Sequence, residues 1–79
     1  MMVAIEAKNK EELQKIIKQY RLRLSTSTIQ WWSTNWEGTD FYLCISVVDG
    51  EQQGGGHMCS LRELGSIPII KLDEGVLIL

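Results

Sequence analysis

The chain has 79 residues, of which 44% are hydrophobic and 23% are charged, and its formal net charge is −2. This length is enough for one domain, residues 1–79, and the composition is ordinary for a soluble globular protein. The sequence contains no run of ~18 apolar residues and no hydrophobic segment with the length of a signal peptide, so we expect a cytoplasmic protein without a membrane span.

The first predicted elements are a strand and an amphipathic helix. Residues 2–7 alternate and are rich in apolar side chains, which predicts a short strand. Asn9 is predicted to cap the helix, because its side chain can accept a hydrogen bond from the amide of Glu12 while the Glu12 carboxylate reaches back. The helix is expected to end near Arg21. Its apolar stripe has helical spacing and consists of Leu13, Ile16, Ile17, Tyr20 and, at its end, Leu24.

The next predicted element is a β-hairpin over residues 29–48, which contain all three tryptophans. Gly38 fits the left-handed position that closes a three-residue turn. In that register Trp31 pairs with Leu43 and belongs to the core, while Trp32 lies on the second face of the sheet. A two-residue turn would put Trp32 opposite Leu43 instead, because a slip of one residue turns every side chain to the other face.

The second strand of this predicted hairpin, residues 41–48, has a clear period of two. One set of alternating side chains is uniformly apolar and is expected to be buried: Phe41, Leu43, Ile45 and Val47. The other set, which includes Tyr42 and Cys44, defines the second face of the sheet.

The rest of the chain is predicted to contain a loop, a helical turn and a second hairpin. Residues 50–56, GEQQGGG, are typical of a flexible connection. Residues 59–65 could form one short helical turn that Gly65 ends. Residues 67–72 and 76–79 are apolar and are predicted to pair as the second hairpin.

Together these elements predict an α+β domain with the order β-α-β-β-β-β and a short second helix as an option. One amphipathic helix would pack on one face of a small, mostly antiparallel sheet. A ferredoxin-like order, β-α-β-β-α-β, is the alternative, and it would make residues 58–65 the second helix.

Residues that could support catalysis or bind a metal are few. The only histidine, His57, lies two residues before Cys59, and a Cys-His pair can activate a thiolate. However, no catalytic motif accompanies the pair and three glycines precede it, so we expect no enzyme, cofactor or small-molecule substrate.

His57, Cys59 and Cys44 supply three metal ligands at most, without CxxC spacing, so we also expect no metal site. Two cysteines do not make a disulfide framework, and free thiols fit a reducing compartment.

The tryptophans are the most informative candidates for a binding surface. Adjacent strand residues face opposite sides, so Trp31 and Trp32 cannot both be covered by one helix. Trp and Tyr are enriched at binding hot spots, and Trp32, Trp36 and Tyr42 are therefore the predicted partner-binding residues. The alternative is that the C-terminal hairpin or a loop covers this second face.

These observations predict a small protein-interaction module, with a regulatory, accessory or inhibitory role of the kind that mobile-element proteins often have. Its partner would be a second copy, in a homodimer, or a larger protein. The alternative is a protein that binds single-stranded nucleic acid by Trp and Tyr stacking together with the Lys and Arg side chains of the first helix. Residues 1–24 carry a net charge of +3 and residues 25–79 a net charge of −5. Protein binding is preferred because the total charge is acidic and the predicted helix packs opposite the aromatic face.

Overall fold

A computed structural model describes residues 1–72. The elements, in chain order, are β1 (Met2–Glu6), α1 (Lys10–Gln19), α2 (Thr26–Asn35), β2 (Tyr42–Val48), β3 (Glu51–Cys59), a 3-10 turn (Leu61–Glu63) and β4 (Ile69–Lys71). The strands form one four-stranded sheet in the order β3-β2-β1-β4. The β1–β2 and β2–β3 pairs are antiparallel, and β4 is parallel to β1. The predicted α+β class, with a mostly antiparallel sheet, is confirmed.

The predicted first strand and first helix are also confirmed. The Asn9 side chain accepts a hydrogen bond from the Glu12 amide at 2.8 Å, as expected for an N-cap. The Glu12 carboxylate accepts a hydrogen bond from the amide of Lys8 at 2.9 Å, and not from that of Asn9, which is the donor in a capping box. Leu13 and Ile16 are fully buried, so the first part of the predicted apolar stripe faces the core. Tyr20 is 38% exposed, and Leu24 lies beyond the end of the helix at Gln19, so the stripe is shorter than predicted.

The largest correction concerns α2, because the hairpin predicted over residues 29–48 is wrong. Ser25 caps this helix, and its hydroxyl oxygen accepts a hydrogen bond from the Thr28 amide at 3.1 Å. Serine and threonine are therefore at the start of this helix as a capping signal and its first turn, directly before the segment predicted as a strand. With helical spacing, Thr28 and Trp32 fall on one face, and both are buried.

The helical conformation also exchanges the predicted positions of two tryptophans. Trp32 is only 2% exposed and packs in the core with Leu13 and Ile16, whereas Trp31 is 37% exposed. The prediction that Trp31 is core and Trp32 lies on the second face of the sheet is therefore wrong. In a helix, successive side chains are separated by about 100° rather than 180°, so the neighbour of a buried residue lies at the side of the helix.

The actual hairpin joins β2 to β3 through Asp49 and Gly50. Both residues have positive φ, 53° and 82°, as a type I′ turn requires. The flexible loop predicted for residues 50–56 is wrong, because Glu51–Cys59 form a strand that pairs with β2. Glycines usually weaken strands, and here they occupy an irregular part of an edge strand.

The sheet has a hydrophobic cluster on each face. On the helix side, the strand side chains Val3, Ile5, Leu43, Ile45 and Val47 pack against Leu13, Ile16 and Trp32. Phe41, which was predicted for this face, is 41% exposed because it precedes the first residue of β2.

On the other face, Ala4, Cys44 and Cys59 pack with Leu64, which follows the 3-10 turn. A loop therefore covers part of this second face, as one of the alternatives from the sequence proposed. The short helical turn predicted before Gly65 is present as the 3-10 turn, and Gly65 has a positive φ of 59°.

The described residues include only the first strand of the predicted C-terminal hairpin. β4 lies within the first predicted strand, residues 67–72, and pairs with β1. The predicted partner strand, residues 76–79, and the turn before it lie outside the described residues.

We expect Trp32→Ala to destabilise the fold by about 3–5 kcal/mol, because it removes a large side chain from a closed core. Trp31→Ala is the matched control and should cost about 1 kcal/mol or less, since this side chain is partly in solvent. Urea unfolding of both variants measures the difference. Equal losses would mean that α2 does not have the orientation described.

We expect Gly50→Ala to cost about 3 kcal/mol, the sum of a left-handed backbone penalty and a steric penalty of comparable size. An added Cβ at Gly50 would lie 2.7 Å from the Arg21 carbonyl oxygen. Gly38 is the control, because its φ is +85° but no atom lies within 4 Å of an added Cβ. Gly38→Ala should therefore cost only about 1–2 kcal/mol. Chemical denaturation tests the pair, and a Gly38→Ala loss as large as that of Gly50→Ala would contradict the close approach at Arg21.

Candidate functional site

Three aromatic side chains contact one another at the C-terminal end of α2. The Trp36 ring lies 6.4 Å from the Trp31 ring and 5.2 Å from the Phe41 ring, measured between centroids. Both pairs are tilted, at 60° and 53°, a geometry that aromatic quadrupoles favour. Trp36 is half-buried, whereas Trp31 and Phe41 are exposed.

Local hydrogen bonds explain why Trp36 and Phe41 come together. The Trp36 amide donates to the Trp32 carbonyl at 2.8 Å, which ends α2. The chain then turns back, since the Thr39 amide and hydroxyl both donate to the Trp36 carbonyl, at 3.1 and 2.8 Å. This compact turn places Phe41 against Trp36 just before β2 begins.

A groove of about 400 Å³ adjoins this aromatic group. Its lining comes from the end of β1, the loop before β2 and the 3-10 turn, and consists of Glu6, Ala7, Lys8, Gly38, Thr39, Asp40, Phe41, Tyr42 and Leu61. Leu61 is 65% exposed and lines this groove together with Phe41. The groove therefore combines apolar walls with charges of both signs.

We call the residues Trp31, Trp36, Phe41, Tyr42 and Leu61 the aromatic patch. Two of the three residues predicted to bind a partner belong to it: Trp36 is half-buried in the aromatic group, and Tyr42 is half-buried and lines the groove. The third, Trp32, is in the core and offers almost no surface. That Trp36 and Tyr42 bind a partner stays a prediction.

Sequence reasoning missed Trp31, Phe41 and Leu61 as surface residues. The capping signal at Ser25 could have revealed Trp31, because a helix beginning there buries Trp32 and leaves its neighbour at the side. The Asp49-Gly50 turn could have located the true hairpin. Nothing in the local sequence indicates that Leu61 lies near Phe41, since the fold alone brings them to one groove.

A second candidate site lies on the sheet face away from the helices. We call its residues Cys44, His57 and Cys59 the cysteine-histidine group. Cys44 in β2 is the cross-strand partner of His57 in β3, and Cys59 follows on the same face of β3. The two Sγ atoms and an imidazole nitrogen all lie within 4.8 Å of one another. Both cysteines are free thiols, as the sequence analysis expected.

The environment of Cys44 makes it a poor nucleophile. Burial, together with a hydrogen bond to Cys59, raises the pKa of the Cys44 thiol to about 12. The side chain is therefore protonated at neutral pH, and it is also completely shielded from solvent. A catalytic cysteine needs the opposite, a lowered pKa and an accessible sulfur.

Comparisons with protein-family models, with curated protein sequences and with solved structures find no match for this chain. Within residues 1–72, no helix is long and apolar enough to cross a membrane.

We expect Cys44 to resist alkylation by iodoacetamide in the folded protein at mildly alkaline pH. Its sulfur is buried, and a pKa of about 12 leaves little thiolate to react. Mass spectrometry of peptides, after timed alkylation with and without denaturant, gives the rate at this cysteine. Similar rates in the folded and unfolded protein would contradict the burial of Cys44.

Proposed function

We propose that this chain is a small cytoplasmic protein-interaction module that self-associates through the aromatic patch. One observation carries the proposal: four of the six aromatic residues are at least partly accessible and are connected to one another. Trp36 is in ring contact with Trp31 and Phe41, and Phe41 shares a groove with Tyr42. The cytoplasmic location is part of the proposal and is supported by the free thiols Cys44 and Cys59.

Protein binding is favoured because apolar side chains left in water do not contribute the free energy that their burial would provide. Phe41 and Leu61 are 41% and 65% exposed, and both line the same groove. Contiguous apolar surface of this kind is typical of interaction sites, and aromatic side chains supply much of the binding energy at their centres. Single exposed apolar residues are common on protein surfaces and would not indicate a binding site.

A second copy of the chain is the partner that the charges favour. In a two-fold symmetric dimer the same patch lies on both sides of the interface. Charges in such a patch can pair across the interface only if both signs are present. The groove lining has Lys8 together with Glu6 and Asp40. Association would also bury apolar surface that a domain of this size cannot cover alone. A regulatory, accessory or inhibitory role would then be exerted by the dimer.

Binding of single-stranded nucleic acid is the less favoured function. It would combine base stacking on Trp31 or Phe41 with contacts from the lysines of α1, and Trp31 lies on a helix rather than on a sheet face opposite α1. Against it, the groove carries the acidic side chains Glu6 and Asp40, and phosphate binding depends on an excess of positive charge.

We expect the wild-type protein to form a dimer whose dissociation constant rises at least about 30-fold in Phe41→Ser, equivalent to about 2 kcal/mol. Sedimentation velocity over a wide concentration range measures this constant. Val48→Ser is the matched control, because Val48 is 54% exposed at the opposite end of β2. This control should dimerise like the wild type, and all three proteins should be folded by circular dichroism.

A wild-type protein that stays monomeric at high concentration would exclude self-association. Equal effects of Phe41→Ser and Val48→Ser would place the interface away from the aromatic patch. A fluorescent single-stranded oligonucleotide that binds the wild type, with an affinity that falls steeply with salt, would instead support the nucleic-acid function.

A further inference from the structure

The cysteine-histidine group lies at an irregular point of the β2–β3 ladder. Cys44 pairs with His57 and Ser46 pairs with Gln53, so β3 bulges between these two pairs. The bulge contains the three glycines, and Gly54 has a positive φ of 71°. Bulges re-aim the side chains beside them and are frequent next to functional sites. Here the bulge ends directly before His57, and an imidazole nitrogen of His57 lies within 4.8 Å of both cysteine sulfurs.

We infer that Cys44, His57 and Cys59 form a binding site for a zinc ion that connects β3 to β2. Two thiolates and one imidazole are typical zinc ligands, whereas calcium and magnesium require oxygen ligands. Zinc binding would displace the thiol proton that Cys44 carries in the absence of metal. The inference concerns a different group of residues from the aromatic patch and does not depend on the proposed function.

The geometry is close to what tetrahedral zinc needs. With Zn–S distances of ~2.3 Å and Zn–N distances of ~2.0 Å, ligand atoms are about 3.5–3.8 Å apart. The three potential ligand atoms lie within 4.8 Å of one another without any ion. A contraction of about 1.0–1.3 Å at most would bring the three atoms to bonding distance of one ion, and a water molecule would take the fourth position. Rotation of the exposed His57 side chain, on an edge strand, can bring its nitrogen closer to the sulfurs.

Burial differs among the ligands in a way that suits a site open on one side. Cys44 is fully buried and Cys59 is 9% exposed, so the sulfurs form the floor of the site. His57 is exposed and gives the ion a route from solvent. The cysteines belong to a cluster with Ala4 and Leu64, which shields the sulfurs from water on the other side.

A carboxylate near the group adds a favourable negative charge. Glu63 is close enough to interact electrostatically with both Cys44 and His57. The Ser60 amide donates to one oxygen of this carboxylate at 2.8 Å, which helps to hold the pKa of Glu63 below its ordinary value. Glu63 is therefore negative at neutral pH, and it would help to attract a cation to the open side of the site.

The expected effect of zinc is structural. β3 is an edge strand, and its pairing with β2 is interrupted at three successive glycines. An ion held by one side chain of β2 and two of β3 would cross-link the strands. Metal ligation is one of the common ways in which small domains add stability that their cores cannot provide.

The test uses the full chain, stripped of metal with a chelator and kept reduced, and titrated with Co²⁺ and then Zn²⁺. We expect one Co²⁺ per chain, with thiolate-to-cobalt charge-transfer absorption and the strong visible bands of tetrahedral coordination. Zn²⁺ should bleach these bands and raise the melting temperature, because it binds only the folded state. The Phe41→Ser variant should behave in the same way, which separates this inference from the proposed dimer.

His57→Asn is the main variant, because His57 is exposed and its replacement should not unfold the protein. Loss of even an outer-shell partner commonly weakens metal binding 10–100-fold, so loss of this ligand should raise the Zn²⁺ dissociation constant at least about 100-fold. Gln53→Asn, another exposed polar position on β3, is the matched control and should bind like the wild type. Cys59→Ser should lose much of the charge-transfer band.

Two results would overturn the inference. One is a wild-type cobalt spectrum without charge-transfer or tetrahedral bands. The other is unchanged zinc affinity in His57→Asn and Cys59→Ser, which would assign any bound ion to other groups on the protein surface.

Discussion

The structure depends on the burial of β2 from both sides. Leu43 and Ile45 face the helices and Cys44 faces the opposite way, yet all three are at most 1% exposed. β2 is also hydrogen-bonded to strands on both edges, β1 and β3. In a domain with little interior, this strand is the place where apolar burial and backbone pairing reinforce each other. Each remaining element either covers β2 or extends its sheet.

Covering β2 on the helix side decides which aromatic side chains remain for binding. α2 places Trp32 into the core beside Leu13, and the same helix then directs Trp31 to its side and Trp36 to its end. The exposed aromatic group is therefore a consequence of how the core is filled. An interface formed there would extend the same hydrophobic burial to a partner molecule, as the proposed dimer does.

On the other face of β2, the strand register determines which side chains lie next to Cys44. The Asp49-Gly50 turn sets the β2–β3 register, and the glycine bulge then places His57 opposite Cys44. A glycine run that is typical of a flexible linker thus becomes a structural feature of the sheet. The proposed zinc ion would stabilise this edge, where the β2–β3 ladder is irregular.

The sequence alone determined the elements whose signals are local: the first strand, the Asn9-capped helix with its stripe, the alternation along β2, the turn before Gly65 and the α+β class. Tertiary structure decided whether the segment of residues 26–35 is helix or strand. Its Ser, Thr and Trp residues are compatible with both, and burial of Trp32 against α1 and the sheet favours the helix. It also decided the candidate sites. The Asp49-Gly50 turn is a local signal for the β2–β3 hairpin, but the glycine bulge that places His57 opposite Cys44 shifts the register away from the turn. The chain path that brings Leu61 into the same groove as Phe41 likewise depends on packing between elements that are distant in sequence.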